Sequence, residues 1–328
     1  MKLHEALGID LAAVDAAMVR VVTEDADLPK DSPIANGVLE LVRSGGKRLR
    51  PMLVLTGGRF GPAVNAPDAA DKLLRLAVLM EYLHTASLVH DDIIDEAETR
   101  RGVMTLHRKT DVMTAVHTAN YMTARAIEWA GDGGVDAAHS AELTSLAAQL
   151  CIGEYGQLRN RFNFDVTMDA YLEKTRNKTA LLIASCLQAG AAAAGATPEV
   201  AKTLYAFGDA LGMSFQIQDD ILDFSASAEA LGKPAGADLR SGNVTLPTLF
   251  ALDVPGLGDA IRGLREDAPE SAFQDVVRRI AESEAMERAA ALRDEYADRA
   301  RRLADRLRRF PAHDSLLAIL RHFTDRRS

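Results

Sequence analysis

A chain of 328 residues with 48% hydrophobic and 26% charged side chains is long enough to bury a large core, and it is too evenly mixed for a disordered or fibrous protein. Its net charge of −9 argues against a nucleic-acid-binding surface, so no nucleic-acid partner is expected. The only cysteines, Cys151 and Cys186, both sit in apolar helical patterns, so buried thiols in a reducing, cytoplasmic setting are expected rather than a disulfide framework.

The beginning, MKLHEALGIDLAAVDAAM, is acidic and amphipathic and does not read as a signal peptide. Nowhere do about eighteen apolar residues run together, so no transmembrane helix is expected. Alanine and leucine dominate, apolar residues recur at three- and four-residue spacing, and strand-like alternation is missing. The expectation is therefore an all-α chain forming one domain over residues 1–328.

In order, a first helix is expected near 8–24, and Ser32-Pro33 opens a second that Gly45-Gly46 breaks. Pro51 starts a third, GPAVNAPD is a loop, and Pro67-Asp68 begins a long helix running through LLRLAVLMEYLHTASLVHDDIID. The stretch EAETRRGVMTLHRKT reads as a charged, mobile connection. Helices follow near 112–130, 136–163, 168–195 and 197–224. A Gly/Pro/Ser-rich loop, SASAEALGKPAGADLRSGN, has the composition of a functional loop. Helices near 245–253, 257–265, 270–310 and 314–325 complete the chain.

Two stretches stand out, HDDIID (His90 to Asp95) and QDDILDF (Gln218 to Phe224). Each contains Asp-Asp-x-x-Asp and follows an apolar run. On a helix, Asp91 and Asp95 lie one turn apart, about 6 Å along the axis and on one face, as do Asp219 and Asp223. Like charges at that spacing repel. A hard divalent cation removes the cost, and magnesium is commonly held by one or two carboxylates plus substrate phosphates. A solvated acidic face is the ordinary explanation of one such motif. Two copies in apolar context favour metal sites, with Ile93, Ile94, Ile221 and Leu222 expected to face the core.

Metal-bridged diphosphate also needs cationic donors. Ser-Gly-Gly-Lys-Arg-Leu-Arg-Pro supplies Lys47, Arg48 and Arg50 at a helix start, without the order of a P-loop. Arg100 and Arg101 follow the first motif, and Lys178-Thr179 and Gly232-Lys233-Pro234 add two more cations. His84 lies two turns before Asp91 on the same face. Two cationic groupings and two carboxylate pairs around an apolar interior suit two diphosphate substrates with hydrocarbon chains.

The ordered set GGKRLRP, HTASLVHDDIIDEAETRRG, GEYGQL, YLEKTRNKTALLIASC, FQIQDDILDF and LGKPAGADLRSGNVTLPTL, covering almost the whole length, resembles the trans-isoprenyl diphosphate synthases, or polyprenyl synthetases. The resemblance implies a bundle of antiparallel helices around a deep central cavity, usually homodimeric. It implies Mg-dependent head-to-tail condensation of isopentenyl diphosphate with an allylic prenyl diphosphate. By resemblance Asp91, Asp95 and Asp219 are magnesium ligands, with Asp92, Asp220 and Asp223 supporting them; the helical spacing sets Asp223 beside Asp219 as a further metal-facing carboxylate. About three ions per site are implied, acting as Lewis acids and template. Arg100, Lys178, Thr179, Gln216 and Lys233 would hold the allylic diphosphate, and Lys47, Arg50, His84 and Arg101 isopentenyl diphosphate.

One departure is Ala119-Asn120, where the family commonly has Gly-Asp; it reads as structural or chain-length tuning. A class I terpene cyclase would carry a different second metal motif and would not need Lys47, Arg50 and Arg101. A non-catalytic partner subunit would typically lose the carboxylates. Short-chain relatives often carry an aromatic ring four or five residues before the first aspartate, where this chain has Ser87 and Ala86. With Leu83, Met80 and Leu79 lower on the same helix, an open cavity floor is expected, and a product longer than geranylgeranyl diphosphate, hexaprenyl to octaprenyl, with transient membrane contact for its release.

Overall fold

Residues with high helix propensity and apolar side chains on a 3.6-residue period leave the backbone one economical way to satisfy its hydrogen bonds, and most of the described residues are helical. The computed structural model of the chain describes residues 2–100, 102–131, 144–153, 160–225 and 235–325. The helices are α1 (Leu3–Leu7), α2 (Leu11–Thr23), α3 (Pro33–Arg43), α4 (Leu49–Gly58), α5 (Ala69–Ile94), α6 (Leu106–Lys109) and α7 (Val112–Gly131). Residues 144–153 form α8. Then come α9 (Met168–Thr175), a π-helical turn (Arg176–Ala180), α10 (Leu181–Ala193), α11 (Pro198–Ser225), α12 (Ala237–Arg240), α13 (Leu246–Ala251), α14 (Gly258–Arg262), α15 (Glu270–Ala281), α16 (Glu284–Asp305) and α17 (His313–Thr324). A two-stranded antiparallel hairpin, β1 (Thr99–Arg100) and β2 (Val103–Met104), is the only sheet among the described residues.

Local chemistry explains where several elements begin and end. The helix expected near 8–24 is α2, capped by Asp10, which accepts from the Ala12 N–H, and a short α1, closed by Gly8 in a left-handed conformation, precedes it. Ser32 caps α3 with Pro33 in the first turn, as the sequence indicates. The helix expected over 270–310 is interrupted at Ser283, which caps α16. The helix expected over 168–195 is interrupted by the π-helical turn. The charged stretch after the first aspartate motif carries the short hairpin, and the Thr105 hydroxyl beside it donates to the Ala97 carbonyl at 2.7 Å.

The chain divides into two compact units, one of Met1–Cys151, Ser185–Tyr205 and Phe310–Ser315, the other of Ile152–Ala184, Ala206–Arg309 and Leu316–Ser328. In the first, α5 is central. Its residues from Leu76 to Leu83 are buried without a break, as for a helix covered on all sides, and it packs on α4 and α7. Each fully buried leucine or methionine there contributes roughly 1.5–3 kcal/mol. In the second, Tyr171, Ile217, Leu246 and Ala289 form a core that joins α9, α11, α13 and α16.

Cys186 is buried, but Cys151 is exposed, contrary to expectation. Leu146, Ala147 and Leu150 turn the opposite face of α8 inward. Among the described residues no helix is long and apolar enough to cross a membrane.

Candidate active site

In the first unit the last turn of α5 gathers Asp91, Asp92 and Asp95, at the helix end where the backbone carbonyls already favour cations. The Asp95 N–H donates to the Asp91 carbonyl at 2.8 Å, so the two aspartates are one helical turn apart. Asp91 is half-buried and Asp95 exposed. Asp92 turns inward and its Oδ1 accepts from Arg100 Nε at 2.6 Å. Burial pushes the Asp92 carboxyl up, outweighing the opposing pull of Arg100. Arg100 is thereby held by an aspartate of the same motif, and the hairpin that carries it turns at Gly102, whose φ of +79° suits a residue without a side chain. Arg101 lies outside the described residues. Ile221 is buried as expected, but Ile94, the last residue of α5, is 38% exposed, and Ile93 and Leu222 are half-buried.

The glycine-lysine segment between α3 and α4 belongs to the same unit. Lys47 is exposed and Arg50 and His84 are half-buried. Arg48, read from the sequence as a third donor, is instead 4% exposed and turned inward. Along α5, Leu79, Met80, Leu83 and Ala86 are buried; Ser87 is half-buried and donates its hydroxyl to the His84 carbonyl at 2.9 Å. Ala119 is fully buried and Asn120 exposed.

The second unit builds a connected polar network. Tyr171 OH donates to Asp220 Oδ2 at 2.7 Å, Gln216 Nε2 donates to Asp220 Oδ1 at 3.1 Å, and the Leu246 N–H reaches Oδ2 at 3.3 Å. Thr179 OH donates to Gln216 Oε1 at 2.7 Å. Burial pushes Asp220 up, while these donors favour its charged form. The π-helical turn delivers Lys178 and Thr179, in a conformation often found at functional sites. It sits tightly on α11, where a Cβ on Gly212 would come within 2.5 Å of Ala180 Cα. Asp219 is half-buried; Asp223 is 1% exposed and its Oδ2 accepts from the Asp238 N–H at 3.1 Å. Lys233 lies outside the described residues.

Tyr171, Lys174, Lys178, Gln216, Asp220 and Asp238 line one cleft of about 90 Å³. Tyr171 and Lys174 were not singled out from the sequence, although Tyr171, Lys174 and Lys178 recur at the spacing of one helical face. Lys174 Nζ donates to the Val244 carbonyl at 3.1 Å and lies 5.6 Å from the Tyr171 ring centroid. Arg293 Nη1 donates to Gln218 Oε1 at 2.7 Å, a contact no local pattern announces.

Among the described residues no group of three or more His, Cys, Asp or Glu is gathered to hold a metal by itself. The donor sets nevertheless fit magnesium, which takes hard oxygen ligands and commonly completes its shell with water and substrate phosphate.

A family model for polyprenyl synthetases matches residues 32–281. The chain belongs to the polyprenyl synthetase family. As a member of that family it is a prenyltransferase. It is 41% identical over 305 residues to heptaprenyl diphosphate synthase component 2 of Geobacillus stearothermophilus, covering 93% of this chain and 92% of that one. The crystal structure of heptaprenyl diphosphate synthase from Staphylococcus aureus superposes with a TM-score of 0.89 at 32% identity, covering 97% of this chain and 98% of that one. A polyprenyl synthase from Caulobacter crescentus, solved with calcium and isoprenyl diphosphate, gives a TM-score of 0.84 at 30% identity, covering 100% of this chain and 98% of that one. These likenesses establish the all-α isoprenyl diphosphate synthase fold.

Proposed function

We propose that the chain, acting as one polyprenyl synthetase domain, condenses isopentenyl diphosphate with an allylic prenyl diphosphate to give a trans product longer than geranylgeranyl diphosphate, in the hexaprenyl to octaprenyl range. The observation that carries this reading is the presence of both aspartate motifs and of the cationic segments in one chain of the polyprenyl synthetase family. In the first unit Asp91 and Asp95 would hold magnesium, and Lys47, Arg50 and His84, with Arg101, would take isopentenyl diphosphate. In the second unit Asp219 would hold magnesium, with Asp220 and Asp223 in support, and Lys178, Thr179 and Gln216, with Lys233, would take the allylic diphosphate.

Bound magnesium supplies Lewis-acid stabilisation of the departing diphosphate. The protein's own share is placement. Asp92 holds Arg100 at the rim of the first motif. Tyr171 and Gln216 hold Asp220 in one orientation. Thr179, bonded to Gln216, is fixed beside Lys178 in the turn. Such fixed donors stabilise charge as the allylic C–O bond ionises, without reorganising during the reaction. The isopentenyl double bond then attacks the allylic carbon, and loss of a proton to the departing diphosphate leaves a chain one isoprene unit longer.

Heptaprenyl relatives and the small residues Ala86 and Ser87 both support a long product. Incubating purified chain with labelled isopentenyl diphosphate, magnesium and primers of several lengths, then sizing dephosphorylated products by reverse-phase chromatography, tests it. Products of six to eight isoprene units are expected; arrest at farnesyl would overturn the length assignment while leaving the reaction class.

A second reading concerns assembly. The family suggests a homodimer, yet the Geobacillus relative is named a component 2, which favours a catalytic subunit that works with a different partner chain. Turnover by the purified chain alone would exclude a required partner.

A further inference from the structure

Arg48 is a non-glycine residue in the left-handed region, with φ 46° and ψ 43°, at the N-terminal cap of α4. Such a backbone costs free energy and persists only where its surroundings over-determine it. Here they do. The guanidinium is 4% exposed and reaches three acceptors on three helices: Nε to Asp15 Oδ1 of α2 at 2.6 Å, Nη2 to the Val42 carbonyl of α3 at 2.7 Å, and Nη1 to Glu81 Oε1 of α5 at 3.3 Å. The Val42 carbonyl, in the last turn of α3, also accepts from the Gly45 N–H at 3.2 Å, and a cation suits that helix end. Glu81 is 5% exposed, and its second oxygen, Oε2, is buried without a hydrogen bond.

Two features make this more than a structural clamp. Arg48 lies between Lys47 and Arg50, the cations assigned above to isopentenyl diphosphate. Glu81 lies on the same helix as His84 and the first aspartate motif, ten residues before Asp91, or about 15 Å along the axis. We infer that Arg48 is a positioning residue: its buried pairing with Glu81 docks the Gly-Gly-Lys-Arg segment onto α5 and sets the place of Lys47 and Arg50 relative to His84 and Asp91. The inference rests on the substrate assignment proposed above. Condensation needs the isopentenyl double bond at a fixed distance and angle, and a misplacement of about 1 Å can cost about 100-fold in rate. The sequence alone makes Arg48 look like one more surface donor; its burial and its three acceptors assign it the opposite role.

The test uses Arg48→Lys, the paired variant Arg48→Met with Glu81→Gln, and Asp15→Asn, all in the full chain. Lysine keeps the charge but cannot fork to three acceptors, while the paired variant leaves no buried charge unpartnered and so is expected to fold. In both, the Michaelis constant for isopentenyl diphosphate should rise about tenfold and that for the allylic primer less than about twofold. Asp15→Asn, altering the more exposed acceptor, should move the same constant in the same direction by a smaller factor. Isopentenyl diphosphate titrated alone, followed by intrinsic fluorescence, should show the same weakening in binding. Variants with native circular dichroism that bind isopentenyl diphosphate within twofold of the parent would overturn the inference, as would equal rises for both substrates. Lys47→Ala and Arg50→Ala separate the two layers. If they raise the isopentenyl constant and the Arg48 variants do not, the positioning role alone fails. If they leave it unchanged, the substrate assignment fails and the inference with it.

Discussion

Tyr171 donates its hydroxyl to Asp220 Oδ2 at 2.7 Å, across 49 residues of sequence, and the carboxylate it meets is 3% exposed. Burial pushes the Tyr171 phenol well above its usual range, and the Asp220 charge adds to the effect, so the phenol keeps its proton and remains a donor. A carboxylate buried this deeply needs its donors, because each one lost leaves desolvated charge uncompensated. Tyr171→Phe should therefore destabilise the protein by about 1.5–3 kcal/mol and lower kcat/KM for the allylic substrate more than that for isopentenyl diphosphate. Urea denaturation and two-substrate kinetics measure both. Unchanged stability would show that Gln216 and the Leu246 N–H suffice.

Asp91→Ala and Asp219→Ala should each remove nearly all condensation while leaving far-ultraviolet circular dichroism unchanged, because neither side chain is in a core. Assays over a magnesium titration distinguish a lost ligand from a lost fold. Substantial turnover in either variant would reject the metal assignment.

Product length should respond to α5. Ala86 is 2% exposed, with Leu83 and Met80 below it. Ala86→Phe should shorten the product to farnesyl or geranylgeranyl diphosphate without abolishing condensation, since a steric stop leaves the carboxylates untouched. Chain sizing of the products decides it. An unchanged product distribution would move the floor to another helix, with Met122 of α7 the next buried candidate.

Stability should also depend on pH through a carboxylate away from the reacting groups. Asp25, with a side chain 5% exposed, accepts from Tyr121 OH and from Arg125. Burial raises its carboxyl, but the Tyr121 hydroxyl, the Asp27 N–H and Arg125 together bring it below the usual value of 3.8. A depressed folded value stabilises the protein above the unfolded value, and that contribution is lost as pH falls through the folded one. Asp25→Asn should therefore cost about 2 kcal/mol at pH 7, and the gap to the parent should close below pH 3.8. Urea denaturation at several pH values measures it; a gap independent of pH would reject the charge argument.

What the sequence by itself determined is local. Helix type follows from apolar period, and the Asp91/Asp95 relationship follows from four-residue spacing, because both depend on neighbours within one turn. The break at Ser283 used equally local chemistry, although the composition around it reads as continuous helix. The hairpin after the first motif was hidden because its charged residues resemble a solvated loop, while its hydrogen bonds are made by the backbone and by Thr105.

Only the tertiary structure decided which way each polar side chain turned. Arg48 and Lys47 are adjacent and chemically alike, yet Arg48 is buried because Asp15 and Glu81, each 33 residues away, converge on it. Asp219 and Asp220 are adjacent too, but Tyr171 and the Leu246 N–H draw Asp220 inward while Asp219 stays half-exposed. A buried charge is tolerated only where partners from distant segments arrive together, and that meeting is a property of packing, which no window of the sequence contains.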